Sequence, residues 1–302
     1  MNTKHKIIVG NSKNMYELDS NSIHLIVTSP PYFNMRNYGN YNQIGYGSSM
    51  DCYLKDMEAV FKESYRVLQP GRKFCLNISD QPVSGEYGVK WIPLGFYLTD
   101  ILLKNGFEIV DRIIWNKVPM KGFQYGSLPY PPSPLICDSM EYIFILRKAG
   151  KVNYTYLDKE YKQASKLSST EYKEFTKQIW TINRVRIKKN VDGHIAPFPI
   201  DIPYRCALLY SFVNDTILDP FGGSGTTTEA AIKSKRNSVL YEIVPEYLNF
   251  IKKKVELSKN LLGDIEVNYI IRDSKNDTIY NLAWQWFKSG PLDKKKIPIR
   301  RV

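Results

Sequence analysis

The stretch TILDPFGGSGTTTEAAIKSKRNSVLYE, Thr216 to Glu242, constrains the fold more than any other part of the chain. Thr216–Leu218 reads as a short strand, Asp219–Gly225 as a glycine-rich turn, and Thr226 onward as a helix. The small residues Ala230 and Ala231 let that helix pack closely on a sheet. SVLYE reads as the next strand and ends on Glu242, about twenty residues beyond Gly222, where a carboxylate is placed for ribose hydroxyls. A strand, turn, helix and strand in this order build a parallel sheet covered by helices. The chain lacks G-x-x-x-x-G-K-[ST], which excludes a P-loop, and lacks G-x-S-x-G, so no nucleophile elbow is implied. The competing reading is a turn with a purely structural role.

The remaining pattern agrees with an α/β chain. HKIIVGNS and SIHLIVTSPP read as short strands, and Leu54, Met57, Phe61, Tyr65 and Leu68 repeat at helical spacing up to Pro70 and Gly71. KFCLNIS, FEIVDRIIW and MEYIFILRK read as further strands, with a helix over Leu94 to Lys104 that stops at Gly106. Asn34 to Met50, rich in Asn, Gly and Tyr and without hydrophobic period, reads as a long mobile loop. With 302 residues and 43% apolar content, the expectation is a doubly wound α/β fold with a mainly parallel, Rossmann-like sheet. The N-terminus lacks the apolar core of a signal peptide and no apolar run is long enough to span a membrane, so a cytoplasmic protein is expected. Cys52, Cys75, Cys137 and Cys206 show no paired spacing and read as buried, reduced thiols.

Charge is unevenly spread. The chain carries a formal +12, and between Arg147 and Asn190 there are twelve Lys/Arg against four Asp/Glu, interleaved with Tyr154, Tyr156, Tyr161, Tyr172, Phe175 and Trp180. Cations alternating with aromatics suit a nucleic-acid partner better than a plain solvated face. Residues 149–190 are therefore expected to form an inserted target-recognition region, set between two parts of a catalytic domain, 1–148 and 191–260. Residues 261–302 form a C-terminal extension with a hairpin around Asp273 to Asp277 and a basic tail, either added to the DNA-contacting face or packed behind it.

A second motif, VTSPPYF, ends the strand before the long loop. Together, TSPPY and the later DPFGGSGTT resemble the amino-methyltransferases of DNA restriction-modification systems in the β order, in which the catalytic motif precedes the cofactor motif. HIAPFPIDIP, IIWNK and EYIFILRK resemble family segments as well, so the likeness runs to about Lys254. It implies S-adenosyl-L-methionine as cofactor and double-stranded DNA as partner, with a cognate restriction endonuclease acting separately. Ser29, Pro30, Pro31 and Tyr32 match the catalytic tetrapeptide. Asp219, Pro220, Phe221, Gly222, Gly223, Ser224, Gly225 and Thr226 match the cofactor turn, and Glu242 the ribose-binding acid. Asn11 stands where relatives often have Asp near the adenine, and Tyr241 where a Gly often precedes the acid.

The chemistry of those residues stands without the resemblance. An exocyclic amino group is a poor nucleophile because its lone pair is delocalised into the ring. The Ser29 hydroxyl and the Pro30 carbonyl can accept its two N–H bonds and turn the nitrogen lone pair toward a methyl donor. Tyr32, with Phe33 beside it, can stack on a base swung out of the duplex. In the family SPPY is more typical of cytosine N4 and DPPY of adenine N6, so cytosine N4 is expected, with adenine N6 as the alternative. An RNA or protein-amide methyltransferase, or a non-catalytic nucleic-acid-binding module, accounts for fewer of these features. His5, His24 and His194 are too few and too scattered for a metal site, and no metal is expected. His194 reads as a pocket wall; Trp115 and Lys117 read either as neighbours of the flipped base or as a core tryptophan and a surface lysine.

Overall fold

The computed structural model describes residues 2–40, 42–118, 136, 138–185, 198–262, 265–272 and 279–280, with the backbone alone at 259–262 and 279–280. In chain order the elements are β1 (Thr3–Val9), β2 (Ile23–Thr28), α1 (Met50–Val67), β3 (Leu68–Ile78), β4 (Gln81–Gly85), β5 (Gly88–Ile92), α2 (Leu94–Lys104), β6 (Phe107–Val118) and β7 (Met140–Lys148). There follow α3 (Lys159–Ala164), α4 (Ser169–Phe175), β8 (Ile179–Asn183), α5 (Asp201–Tyr210), β9 (Thr216–Asp219), α6 (Thr226–Lys233), β10 (Asn237–Glu242), α7 (Leu248–Leu262), β11 (Ile265–Arg272) and β12 (Ile279–Tyr280). His194 and Cys137 lie outside the described residues, as do the hairpin turn at Asp273 to Asp277 and the basic tail.

One sheet runs β12-β11-β1-β10-β9-β2-β3-β7-β6-β8, and β4 with β5 forms a separate hairpin. The run from β11 to β3 is parallel throughout, and β7 is antiparallel to both β3 and β6. The fold is thus the expected doubly wound, mainly parallel sheet. β1 and β2, successive in the chain, are not neighbours in the sheet: β10 and β9 stand between them. β12 pairs antiparallel with β11, and β11 itself is a central-type strand parallel to β1, so part of the C-terminal extension belongs to the main sheet.

Period-two alternation sorts the core onto two faces. Ile26 and Ile8 join α1 and α2 in one buried cluster with Phe61, Phe74 and Leu98. Leu25 and Val27 point the other way, into a cluster with Trp115, Trp180, Cys206 and Ala231, while Ile7 and Val9 meet Leu240, Ile251 and Val255. Helix α1 starts where the Ser49 hydroxyl accepts from the Cys52 amide, and it buries Tyr53, Met57, Val60, Phe61, Ser64 and Val67 at three- and four-residue spacing. It ends before Pro70 and Gly71, which lie inside β3 where its pairing with β2 slips register. Cys75 and Cys206 are buried free thiols; Cys52, contrary to the expectation for it, is exposed on α1.

Between Arg147 and Asn190 the described part holds two short helices and one strand. β8 extends the main sheet beside β6 and buries Trp180 completely. Asn34 to Met50, read from sequence as mobile, is cross-braced instead. The Asn34 amide donates to Gly45 O at 2.7 Å, Gln43 Nε2 to Arg36 O at 2.8 Å, and Asn40 Nδ2 to Ile243 O at 2.8 Å. The amide side chains that make the stretch look polar are the ones that close it.

Candidate active site

The chain leaves β9 through α6 toward β10 on one side, and leaves β2 through α1 toward β3 on the other. The carboxyl ends of β9 and β2 therefore flank a crevice at the point where the winding reverses, the usual ligand site of an open α/β sheet. A cavity of about 490 Å³ opens there. It is lined on one side by Pro220, Phe221, Gly222, Gly223, Ser224 and Thr226 with Glu242 and Asn11, and on the other by Ser29, Pro30, Pro31 and Tyr32. Residues 191 positions apart in the chain meet at this joint, where Thr28 Oγ1 donates to Asp219 Oδ1 at 2.7 Å.

Asp219 does not line the cavity, and neither does Gly225. The Asp219 carboxylate lies behind the wall and accepts from Thr28 Oγ1, from Thr227 Oγ1 at 2.6 Å and from the Phe221 amide at 3.0 Å. It clasps β2, the turn and the first turn of α6. Burial pushes its carboxyl above the ordinary range against the pull of those donors. Gly222 is a glycine because a Cβ there would lie 2.1 Å from Leu240 Cγ, and its amide donates to Tyr241 O at 2.8 Å. Gly223 has φ of +51°, which favours glycine, and a Cβ on it would meet only open space. Lys254 on α7 holds the turn by donating to Ser224 Oγ at 3.0 Å and Thr226 Oγ1 at 2.7 Å.

Glu242 faces the cavity from the end of β10. Its Oε2 accepts from the Gly223 amide at 2.7 Å and its Oε1 from the Val244 amide at 2.8 Å, with no cation paired to it among the described residues. Burial pushes its carboxyl up to about 7, even though both amides pull it down. A carboxylate so placed has lone pairs to spare and can accept from neutral donors such as hydroxyls. Asn11, also in the wall, uses Oδ1 to accept from the Lys13 amide at 2.9 Å, and its carbonyl accepts from Arg272 at 2.8 Å. Tyr241 is fully buried and donates to Glu17 Oε2 at 2.8 Å, and Arg272 also bonds Glu17. β11 thereby braces the Asn11 end of the cavity.

At the other end, the Tyr32 hydroxyl accepts from the Ser79 amide at 2.9 Å, and Tyr53 Oη donates to Pro31 O at 3.0 Å. Burial and the nearby Glu141 raise the Tyr32 phenol well above its usual range, so it stays neutral. Among the described residues the Ser29 hydroxyl and the Pro30 carbonyl have no hydrogen-bond partner. Phe33 does not join the cavity: its ring packs on Tyr53 with centroids 5.7 Å apart.

Sequence reasoning offered Lys117 as a neighbour of the flipped base or a surface lysine, and missed the carboxylates that pair with it at this end. Lys117 is 7% exposed, not a surface lysine, and donates to Asp138 Oδ2 at 3.1 Å and Glu141 Oε1 at 3.5 Å. Asn77 Nδ2 donates to Glu141 Oε2 at 3.0 Å, and burial raises the Glu141 carboxyl despite Lys117. Trp115 shares the wall and donates from its ring to Ile182 O at 2.9 Å. The available signal was a lysine and a glutamate embedded in the apolar strands IIWNK and MEYIF. The antiparallel register that sets Trp115 opposite Glu141 is what brings the two together. Arg36, Tyr38 and Gln43 of the braced loop also reach the cavity, as do Arg184 and Phe198. Of the basic stretch 149–190, Arg184 and Val185 line it; Tyr154, Lys166, Tyr172 and Lys173 do not.

Comparison with known proteins identifies the architecture. Residues 23–253 match the N6/N4 DNA methylase family. The chain is 32% identical over 298 residues to the type II methyltransferase M.MjaI of Methanocaldococcus jannaschii, spanning 89% of this chain and 97% of that one. It is 31% identical over 278 residues to the type II methyltransferase M.SmaI of Serratia marcescens, spanning 83% and 90%. Among solved structures, TTHA0409 of Thermus thermophilus, solved in complex with S-adenosyl-L-methionine, superposes with a TM-score of 0.68 at 29% identity, over 87% of this chain and 99% of that one. The cytosine-N4-specific PvuII DNA methyltransferase shares the fold, with a TM-score of 0.60 at 19% identity over 88% and 95%. With its two motifs meeting in one crevice and most of its length matched, the chain belongs to the N6/N4 DNA methylase family, the amino-methyltransferases of restriction-modification type.

Proposed function

We propose that this protein moves a methyl group from S-adenosyl-L-methionine to the exocyclic amino group of a base turned out of double-stranded DNA, and that the base is cytosine, methylated at N4. The observation that carries the reading is the single cavity shared by the glycine turn with Glu242 and by Ser29–Tyr32. The residues fit the cofactor: Glu242 offers unused acceptor sites to a ribose, Gly223 leaves its side of the wall open, and the Phe221 ring gives the adenosyl group an apolar neighbour. When bound, S-adenosyl-L-methionine supplies a methyl group made electrophilic by its sulfonium.

The chain's own residues supply position. The Ser29 hydroxyl and Pro30 carbonyl accept the amino N–H bonds and draw the nitrogen lone pair out of conjugation. Proline at 30 and 31 holds these acceptors rigidly, since its ring fixes φ and neither residue carries an N–H that must find an acceptor. Tyr32, pinned by the Ser79 amide, offers its ring to a flipped base. Serine at position 29, where an aspartate would favour adenine, supports cytosine. The type II methyltransferases among the relatives support a role in protecting DNA beside a separate endonuclease. The test is to methylate duplex DNA with labelled cofactor, digest it to nucleosides and identify the product. N4-methylcytosine is expected; N6-methyladenine would correct the base and leave the class intact. Label on RNA or protein with none on DNA would refute the reading.

A further inference from the structure

A second cavity, of about 640 Å³, lies away from the active site. Its wall includes Arg72 and Lys73 near the start of β3, and Leu208–Phe212 at the end of α5, just ahead of β9. Both strands run from here toward the crevice. From Lys73 along β3 to Ser79, just past its end, the chain covers about 20 Å at ~3.3 Å per residue. The two cavities thus lie at opposite ends of the parallel strands. The remaining wall comes from the basic stretch, with Tyr154, Lys166, Tyr172 and Lys173 among its members.

The electrostatics here are one-sided. No carboxylate lines the cavity, and Lys73, Lys166 and Lys173 have no ion-pair partner among the described residues. Arg72, 4% exposed, donates from Nη1 to Asp215 Oδ2 at 3.1 Å and from Nη2 to the Tyr156 hydroxyl. Asp215 thus balances the Arg72 charge, and the three lysines remain in surplus. The Arg72 Nε finds no acceptor among the described residues, an unusual state for a buried guanidinium. Tyr154 and Tyr172 are 53% and 60% exposed, leaving ring surface uncovered beside the cations.

We propose that this cavity binds a phosphorylated nucleoside, either a free nucleotide or the phosphorylated end of a single strand. Its volume is that of a small-molecule site. A phosphate suits a cluster of cations that lacks carboxylates, and a base suits exposed tyrosine rings, which stack on any base alike. A duplex presenting its base at the crevice meets the other end of the strands, so this site is separate from target binding. The charge between Tyr154 and Lys173 then belongs to this second ligand.

The experiment uses the full chain with S-adenosylhomocysteine in excess to fill the crevice. Calorimetric titration with AMP, and separately with a 5′-phosphorylated tetrathymidylate, is expected to show one site per chain, with adenosine binding far more weakly. The stronger of the two ligands names the source. The double variant Lys166→Glu, Lys173→Glu changes two exposed residues and is expected to weaken AMP at least about tenfold, with its folding checked by denaturant titration. The proposal is overturned if S-adenosylhomocysteine displaces AMP, if the folded double variant binds AMP as the wild type does, or if neither phosphorylated ligand binds. A rise in the KM for duplex DNA in that variant, with AMP binding unchanged, would return the surface to target recognition.

Discussion

The Glu242 carboxyl predicts how cofactor affinity follows pH. Its folded value of about 7, against an ordinary value of 4.5, arises first from burial. The raised value fixes the sign: the penalty is absent below about pH 4.5, grows as pH rises, and is complete above about pH 7. At about 1.36 kcal/mol per unit it reaches about 3 kcal/mol of lost stability in the unliganded protein. Hydroxyl donors from a ribose favour the ionised form, so binding must deprotonate Glu242 wherever it starts protonated. At about pH 6, one unit below its folded value, roughly one molecule in eleven is ionised, whereas at about pH 8 most are. Affinity for S-adenosylhomocysteine should therefore rise about eightfold to tenfold between those conditions, with proton release visible by calorimetry in buffers of different ionisation enthalpy. Glu242→Gln should bind more weakly and lose this dependence, while gaining stability at about pH 8 relative to the wild type. A wild-type affinity flat across that range, or a Glu242→Gln variant that keeps the slope, would refute a ribose-facing Glu242.

Other residues separate into chemistry and support. Ser29→Ala should lower methyl transfer by about 10² in single-turnover assays, with S-adenosylhomocysteine affinity unchanged. Asp219→Ala strands Thr28, Thr227 and the Phe221 amide and should cost about 3 kcal/mol in denaturant titration. Gly222→Ala drives a methyl group into Leu240 and should cost about 1–3 kcal/mol, and adding Leu240→Ala should make the double variant less destabilised than the sum of the singles.

What the sequence revealed depended on range. Helix α2 was legible to its end residues because period, length and the Gly106 stop are all local, and the strand start at Thr216 and the helix start at Thr226 were legible for the same reason. Ser29–Tyr32 and Glu242 were legible as candidates because residue type and position beside a strand end already constrain their chemistry. The role of Asp219 was not: a carboxylate beside a glycine turn looks the same from sequence whether it faces a ligand or three protein donors. The Lys117–Glu141 pair was hidden in the register of two antiparallel strands whose connecting segment carries no register signal. The placement of the basic stretch was hidden for a similar reason. Composition reports charge but not which end of the strands receives it, and β8 ties that segment so that Arg184 reaches one cavity and Lys166 and Lys173 the other.

The order of the two motifs in the chain follows from the same geometry. A parallel sheet asks that strand ends carrying the site be neighbours in space, not that they follow each other in sequence. β9, α6 and β10 wind outward on one side of the crevice, and β2, α1 and β3 on the other. Each half is a right-handed unit that can be completed alone, so either can come first. What cannot be omitted is the seam between them. Here the seam is the pairing of Leu25 and Ile26 with Ile217 and Leu218, closed by Thr28 donating to Asp219. That bond sits one residue before Ser29 on one strand and two residues before Phe221 on the other, so it sets the distance between the two walls of the cavity. Asp219 holds the two halves in register, which is why its removal should appear in stability rather than as a lost contact to the cofactor.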